Sequence, residues 1–226
     1  MTVLRSLAFY LVFYTASVYF VLGSVVAMVV WPSRMRRFPD AWARFHRWSL
    51  RALLGITVRE TGAKLPGAAL YAIKHESFFE AIDLPAALDF PVPFGKEELY
   101  RIPGWGRAAK AYGSVTVRRD LGAKGLRLML SEARAFIGTG RPLAIFPEGT
   151  RVPHGTRPSL QSGFAGIYKL LALPVVPVAV NSGPLYHRLW KRPGTITLHF
   201  GEPIEPDLPR EEIEARVHAA INLLNS

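Results

Sequence analysis

From Leu7 to Trp31 the chain carries no charged side chain. Such a run commits the start of the chain to one long apolar helix. At ~1.5 Å per residue it would reach about 37 Å, enough to cross the ~30 Å hydrocarbon layer of a bilayer. Tyr10, Tyr14, Tyr19 and Trp31 supply the amphipathic rings that favour a membrane interface. A cleaved signal peptide fits less well. The run exceeds the ~7–15 residues of a signal-peptide apolar region, and no small-x-small cleavage pattern follows it.

Behind the apolar run come Arg34, Arg36 and Arg37, then Arg44, Arg47 and Arg51, against a single Arg5 ahead of it. The positive-inside rule therefore places the bulk of the chain on the cytoplasmic face of the cell membrane. Asp40 is positioned to cap a helix over residues 41–54. On that helix Arg44, Arg47 and Arg51 share one face, with Trp42, Phe45, Trp48 and Leu53 around the other side. A helix of this kind suits the plane of an anionic bilayer, and it equally suits packing against a domain with a solvated basic face. The 28 Lys and Arg against 17 Asp and Glu leave a net charge of +11, which favours an anionic partner. There is no cysteine, which excludes disulfides, Cys–zinc sites and thiol catalysis.

From about residue 56 short apolar runs alternate with helical patterns. Residues 70–73, 114–117, 143–146, 175–180 and 195–200 read as strands, and 78–88, 122–138, 163–171 and 209–224 as helices. With 226 residues this predicts one α/β domain with a mixed, largely buried sheet flanked by helices. The hydrophobic helix and the amphipathic helix precede it. No GxxxxGK[ST] loop occurs. "HESFF" begins like a zinc HExxH motif, but Phe79 stands where the second ligand would be.

Two stretches carry chemistry. In "KHESFFEAIDLP", His75 is followed by Glu76, Glu80 and Asp83. Ser77 and Glu80 have the spacing of a capping box, so His75 falls between the end of a strand and the start of a helix. Ligand sites of α/β sheets gather at such strand ends, and the field of a helix N-terminus favours developing negative charge. In "AIFPEGTR" a strand runs into Pro147, Glu148, Gly149, Thr150 and Arg151. Here glycine allows close approach to the backbone, and arginine offers paired donors to a phosphate.

Taken together these blocks resemble the glycerolipid acyltransferases, specifically the 1-acyl-glycerol-3-phosphate acyltransferases. Four family blocks occur in order: "KHESFFE", "KEELYRIPGWGRAAKAYGSVTVRR", the complete "FPEGTR" at residues 146–151, and "LPVVPVAV" at 173–180. The resemblance covers roughly residues 56–205. Two positions depart from the usual NHxxxxD pattern, with Lys74 in place of Asn and Glu80 in place of Asp. The resemblance implies membrane-anchoring helices over residues 1–55 and an acyltransferase domain over 56–226. It implies acyl transfer from a thioester, either acyl-CoA or acyl carrier protein, to the free hydroxyl of lysophosphatidic acid, with no further cofactor and no metal. His75 would be the general base and Glu80 its orienting acid, ahead of Asp83 and then Glu76. Backbone N–H groups near the helix start are candidate oxyanion donors. Arg151 and Arg119 would face the phosphate, with Arg118 able to stand in for Arg119. Glu148, Gly149 and Thr150 would shape the glycerol site, and Lys96 would assist acceptor binding.

Other readings compete. A different lysolipid acceptor, such as lyso-ornithine lipid, fits the same blocks. An acyl-thioester hydrolase could use the same base on water. A basic nucleic-acid-binding protein fits the charge, but neither the apolar run nor the absence of a recognised binding motif.

Overall fold

The structure, a computed structural model, describes residues 1–118 and 121–225. Among the described residues seven strands form one mixed sheet in the order β1-β7-β6-β2-β5-β3-β4. They are β1 (Ile56–Gly62), β2 (Leu70–Ile73), β3 (Val92–Lys96), β4 (Val115–Val117), β5 (Leu143–Ile145), β6 (Val175–Val180) and β7 (Gly194–Phe200). β6, β2, β5, β3 and β4 run parallel, and β7 is antiparallel to β6. β2 and β6, which read as unbroken apolar runs, are buried at every position, as a strand covered on both faces requires. The helices that cover them include α3 (Phe79–Ala87), α5 (Gly122–Ile137), α6 (Gly163–Leu171) and α7 (Arg210–Ile221).

The predicted mixed α/β domain is thus present, and its long apolar helix is α1 (Thr2–Val30). Two strands and a two-turn helix, besides shorter turns, escape the sequence pattern. β1 lies at the sheet edge with only alternate burial. β3 contains Pro93 and Gly95, which hide a strand from propensity reasoning, yet Pro93 pairs with Ala144. The third is α4 (Trp105–Tyr112), which contains Gly106. A Cβ at Gly106 would come within 2.0 Å of the Tyr100 carbonyl oxygen, so glycine there is a packing requirement, not a helix breaker.

The amphipathic helix α2 spans Arg37–Ser49 and widens into a π turn over Leu50–Leu54, closed by Gly55 at φ +68°. Asp40 lies inside the first turn and does not cap it; its carboxylate accepts a hydrogen bond from the Tyr112 hydroxyl at 3.3 Å. The basic stripe is also broken. Arg44 and Arg51 are exposed, whereas Arg47 turns inward, donating to both oxygens of buried Asp83 at 2.7 Å and to Glu60 at 2.6 Å.

α1 lies along the domain for most of its length. At one end Arg5 Nε donates to the Leu53 carbonyl at 2.8 Å, and Phe9 and Phe13 are fully buried in the core shared with β1, β2 and β7. Burying each of these rings is worth about 1.5–3 kcal/mol. In the middle Trp42 of α2 stacks on Phe13 and donates its indole N–H to Ser17 Oγ at 2.8 Å. At the other end Ala27 packs with Met35 and Tyr112. Buried His46 fills the junction of α1, α2 and the domain, sharing a hydrogen bond with the Tyr186 hydroxyl at 3.0 Å. Burial pushes its imidazole down to about 3, so the ring is neutral there. The outward face of α1 is left with Leu4, Leu7, Leu11, Val18, Leu22 and Val26 exposed.

Candidate active site

The parallel strands deliver their following loops to one edge of the sheet. β2 is central, and the chain passes from β5 on one side of it to β6 on the other. That crossing is the topological switch point at which α/β sheets open a crevice. Lys74 to Ser77 leave β2 there, Phe146 to Arg151 leave β5, and Asn181 to Gly183 leave β6.

His75 is held on all sides but one. Its carbonyl accepts the Val152 N–H at 2.7 Å, and its own N–H donates to Glu148 Oε2 at 3.1 Å. The imidazole stacks on Phe146, with ring centroids 4.0 Å apart and 19° between planes. Nδ1 lies 3.0 Å from Glu80 Oε2. Among the described residues Nε2 has no hydrogen-bond partner, and the side chain retains 15% exposure. With a carboxylate on Nδ1, that nitrogen carries the proton and Nε2 presents its lone pair outward. This is the geometry of a general base with its orienting acid.

Glu80 is the carboxylate that reaches the imidazole, and the reason is local. The Ser77 N–H donates to Glu80 Oε2 at 2.9 Å, which is one half of the expected capping box; the helix itself is capped at Phe78, and Ser77 Oγ accepts the Phe79 N–H at 3.1 Å instead of that of Glu80. One oxygen, Oε2, therefore serves both the cap and His75. The other, Oε1, accepts from the hydroxyl of Ser182, which also meets Ser77 Oγ at 2.7 Å. The Ser77 and Phe79 amides are thereby committed within the loop, which removes two of the expected oxyanion donors.

The remaining carboxylates have other partners. Asp83 is fully buried against Arg47; burial pushes its carboxyl up to about 6, opposed by the guanidinium. Glu76 receives the Gly183 N–H at 2.7 Å and pairs with His154 Nδ1 at 2.8 Å. Burial raises its carboxyl above the ordinary value.

Glu148 of the FPEGTR block does not reach the crevice. Its side chain is fully buried, with Oε1 on Lys74 Nζ at 2.6 Å and Oε2 on the His75 N–H. Lys74 Nζ also donates to the Asn222 side-chain carbonyl at 2.9 Å and to the Thr156 backbone at 3.2 Å. The departure from Asn at position 74 is thus met by a buried ion pair behind the histidine. Gly149 adopts φ +70°, closing a turn in which its N–H donates to the Phe146 carbonyl at 2.9 Å. Thr150 and Arg151 are exposed beyond it. The Arg151 guanidinium lies 3.9 Å over the exposed ring of Phe78, with no carboxylate partner among the described residues. Lys96 is exposed at the end of β3. Arg119 lies outside the described residues. Its neighbour Arg118 is engaged by Glu132 at 3.1 Å and Glu97 at 3.5 Å, which leaves it poorly placed to substitute. Among the described residues no group of three or more His, Cys, Asp or Glu could hold a metal ion.

Residues 55–181, which contain the histidine dyad and the FPEGTR turn, match the family described as Acyltransferase. The chain belongs to that family. It is 28% identical to the 1-acyl-sn-glycerol-3-phosphate acyltransferase of Pseudomonas aeruginosa, over 97% of this chain and 89% of that one. The enzyme of the same name from Cocos nucifera is 25% identical over 83% of this chain and 63% of its own length. The crystal structure of the 1-acyl-sn-glycerophosphate acyltransferase from Thermotoga maritima superposes with a TM-score of 0.78 at 22% identity. It covers 100% of this chain and 98% of that one, and so shares the fold.

Sequence reasoning missed three contributors to this acyltransferase site. Phe146 was visible in FPEGTR but not as a platform for His75. Phe78 was visible only as an apolar residue beside the capping box. Ser182 carried no signal, because its place beside Glu80 depends on the pairing of β6 with β2.

Proposed function

We propose that the chain moves a fatty acyl group from a thioester donor, acyl-CoA or acyl carrier protein, to the free hydroxyl of 1-acyl-sn-glycerol-3-phosphate, forming phosphatidic acid. The observation that carries this is the His75–Glu80 pair, with Nε2 open at the crevice, inside a full set of ordered family blocks. The names of the relatives support the acceptor. In this reading Nε2 takes the proton of the acceptor hydroxyl as its oxygen attacks the thioester carbonyl. The tetrahedral intermediate then collapses, the C–S bond breaks, and the imidazolium returns the proton to the departing thiolate. Glu80 holds the tautomer and stabilises the imidazolium without itself taking the proton. Arg151, exposed and backed by the Phe78 ring, faces the acceptor phosphate with paired donors. Gly149 and Thr150 line the approach, Lys96 and Arg119 add positive charge, and Glu148 acts from behind by fixing the His75 backbone.

Residues 1–55 would form the membrane-facing part and residues 56–226 the catalytic part. α1 is the one helix among the described residues long and apolar enough to cross a membrane. Between Arg5 and Ala27, about 33 Å along its axis, it is docked on the domain. A polar domain cannot follow it into hydrocarbon, so α1 would lie in the interface with its exposed apolar face in one leaflet and the rest of the chain on the cytoplasmic side.

The test is an acceptor panel with labelled acyl-CoA and detergent-purified protein. Lysophosphatidic acid should give a diacyl product, and His75→Ala should lower kcat by about 100-fold or more. Preferred transfer to a phosphate-free lysolipid, or release of free acid alone, would overturn the assignment.

A further inference from the structure

The two buried carboxylates of the His75 loop are both received by consecutive residues at the exit of β6. The Ser182 hydroxyl meets Glu80 Oε1, and the Gly183 N–H meets Glu76 Oε2. Ser182 is fully buried, and it is separated from Glu80 by 102 residues. The hydroxyl protons can be assigned from the distances. Ser77 Oγ accepts the Phe79 N–H at 3.1 Å and lies 2.7 Å from Ser182 Oγ, but 3.4 Å from Glu80 Oε1. Its own proton therefore goes to Ser182, and the single proton of Ser182 goes to Glu80. The result is a directed chain from the Phe79 amide through two hydroxyls to the carboxylate, with each hydroxyl used once as donor and once as acceptor.

We propose that Ser182 is a positioning residue for acyl transfer, holding Glu80 by Oε1 so that Oε2 stays on His75 Nδ1. Glu80 Oε2 is shared between the Ser77 N–H and His75. A carboxylate held only there could turn about its terminal bond, a soft sp³–sp² torsion, and leave the imidazole. The Ser182 hydroxyl fixes that torsion from the opposite side. Without it Oε1 would be buried with only the 3.4 Å contact to Ser77, and a buried carboxylate oxygen seeks another donor. The role rests on His75 being the base.

The test uses the full chain in detergent, with labelled acyl-CoA and lysophosphatidic acid. Ser182→Ala should lower kcat by about ten- to hundredfold, the range for losing a donor to a charged acceptor, and leave both KM values within about twofold. Ser182→Cys, with a weak S–H donor of similar size, should fall between wild type and alanine. In a Glu80→Gln background the alanine change should cost less than about twofold more, because there is no charged partner left to hold. In the ¹⁵N–¹H spectrum the Nδ1–H signal, identified by its loss in His75→Gln, should be present in wild type and exchange-broadened in Ser182→Ala. Equal factors in both backgrounds, or an unchanged signal with normal kcat, would overturn the proposal. If wild type transfers no acyl group to lysophosphatidic acid, the proposed acceptor fails while the spectroscopic test of Ser182 still decides its role.

Discussion

Lys74→Met is the perturbation that most directly probes how the site is held. The ammonium of Lys74 and the carboxylate of Glu148 meet at 2.6 Å, and neither side chain has measurable exposure. Removing the lysine charge leaves Glu148 buried without a counter-ion and frees the Asn222 and Thr156 carbonyls. Breaking a buried pair from one side costs about 3–5 kcal/mol. For a chain of 150–250 residues each kcal/mol moves Tm by ~2–4 °C, so the expected fall is about 6–20 °C. The methionine itself fills most of the vacated volume, so the loss is electrostatic and not a cavity. The second variant, Lys74→Met with Glu148→Gln, removes the stranded charge while keeping an acceptor for the His75 N–H. It should recover at least about half of the lost Tm. Thermal unfolding in detergent, with the lipid concentration held constant, measures both. An unchanged Tm in Lys74→Met, or a double variant less stable than the single one, would refute the reasoning.

Glu80→Gln should lower kcat by at least about tenfold while Asp83→Asn stays within about threefold, since Glu80 meets the His75 imidazole whereas Asp83 meets Arg47, and charged hydrogen bonds carry about 1.5–3 kcal/mol; reversed effects in initial-rate assays would contradict the assignment. Asp83 titrates near 6 in the folded chain against about 4 unfolded, so its contribution to stability is full below about 4 and is lost as pH rises through 6. Wild type should therefore lose stability relative to Asp83→Asn between those pH values, and a flat difference across denaturant titrations would exclude this. Arg151→Lys keeps the charge but loses the paired donors. It should weaken use of lysophosphatidic acid by about ten- to hundredfold in kcat/KM while the thioester KM holds. A phosphate-free acceptor should not feel the change.

The elements legible in sequence are those whose cause is local. The charge-free run from Leu7 dictates α1, and the unbroken apolar runs of β2 and β6 announce strands covered on both faces. Ser77 and Glu80 are three residues apart, a spacing that helix geometry converts into contact wherever the helix sits. The choice of Glu80 over its neighbours came from the family resemblance, and the Ser77–Glu80 contact that keeps its carboxylate beside His75 forms in the fold. The fate of the other acids depends on the order of strands in the sheet, which no short window encodes. Asp83 meets an arginine 36 residues earlier in the chain, and Glu76 meets a histidine 78 residues later. Glu148 is separated by 74 residues from the lysine that turns it away from the crevice. The basic stripe of α2 was drawn from periodicity alone, and desolvated Asp83 draws its middle member inward because a buried carboxylate requires a counter-charge. Composition and local pattern announced the long apolar helix and the fold class, and the family blocks pointed to His75 as the proposed base. Tertiary pairing across the sheet decided which buried charges support that base, because a hydrogen-bond partner more than a helical turn away is chosen by topology.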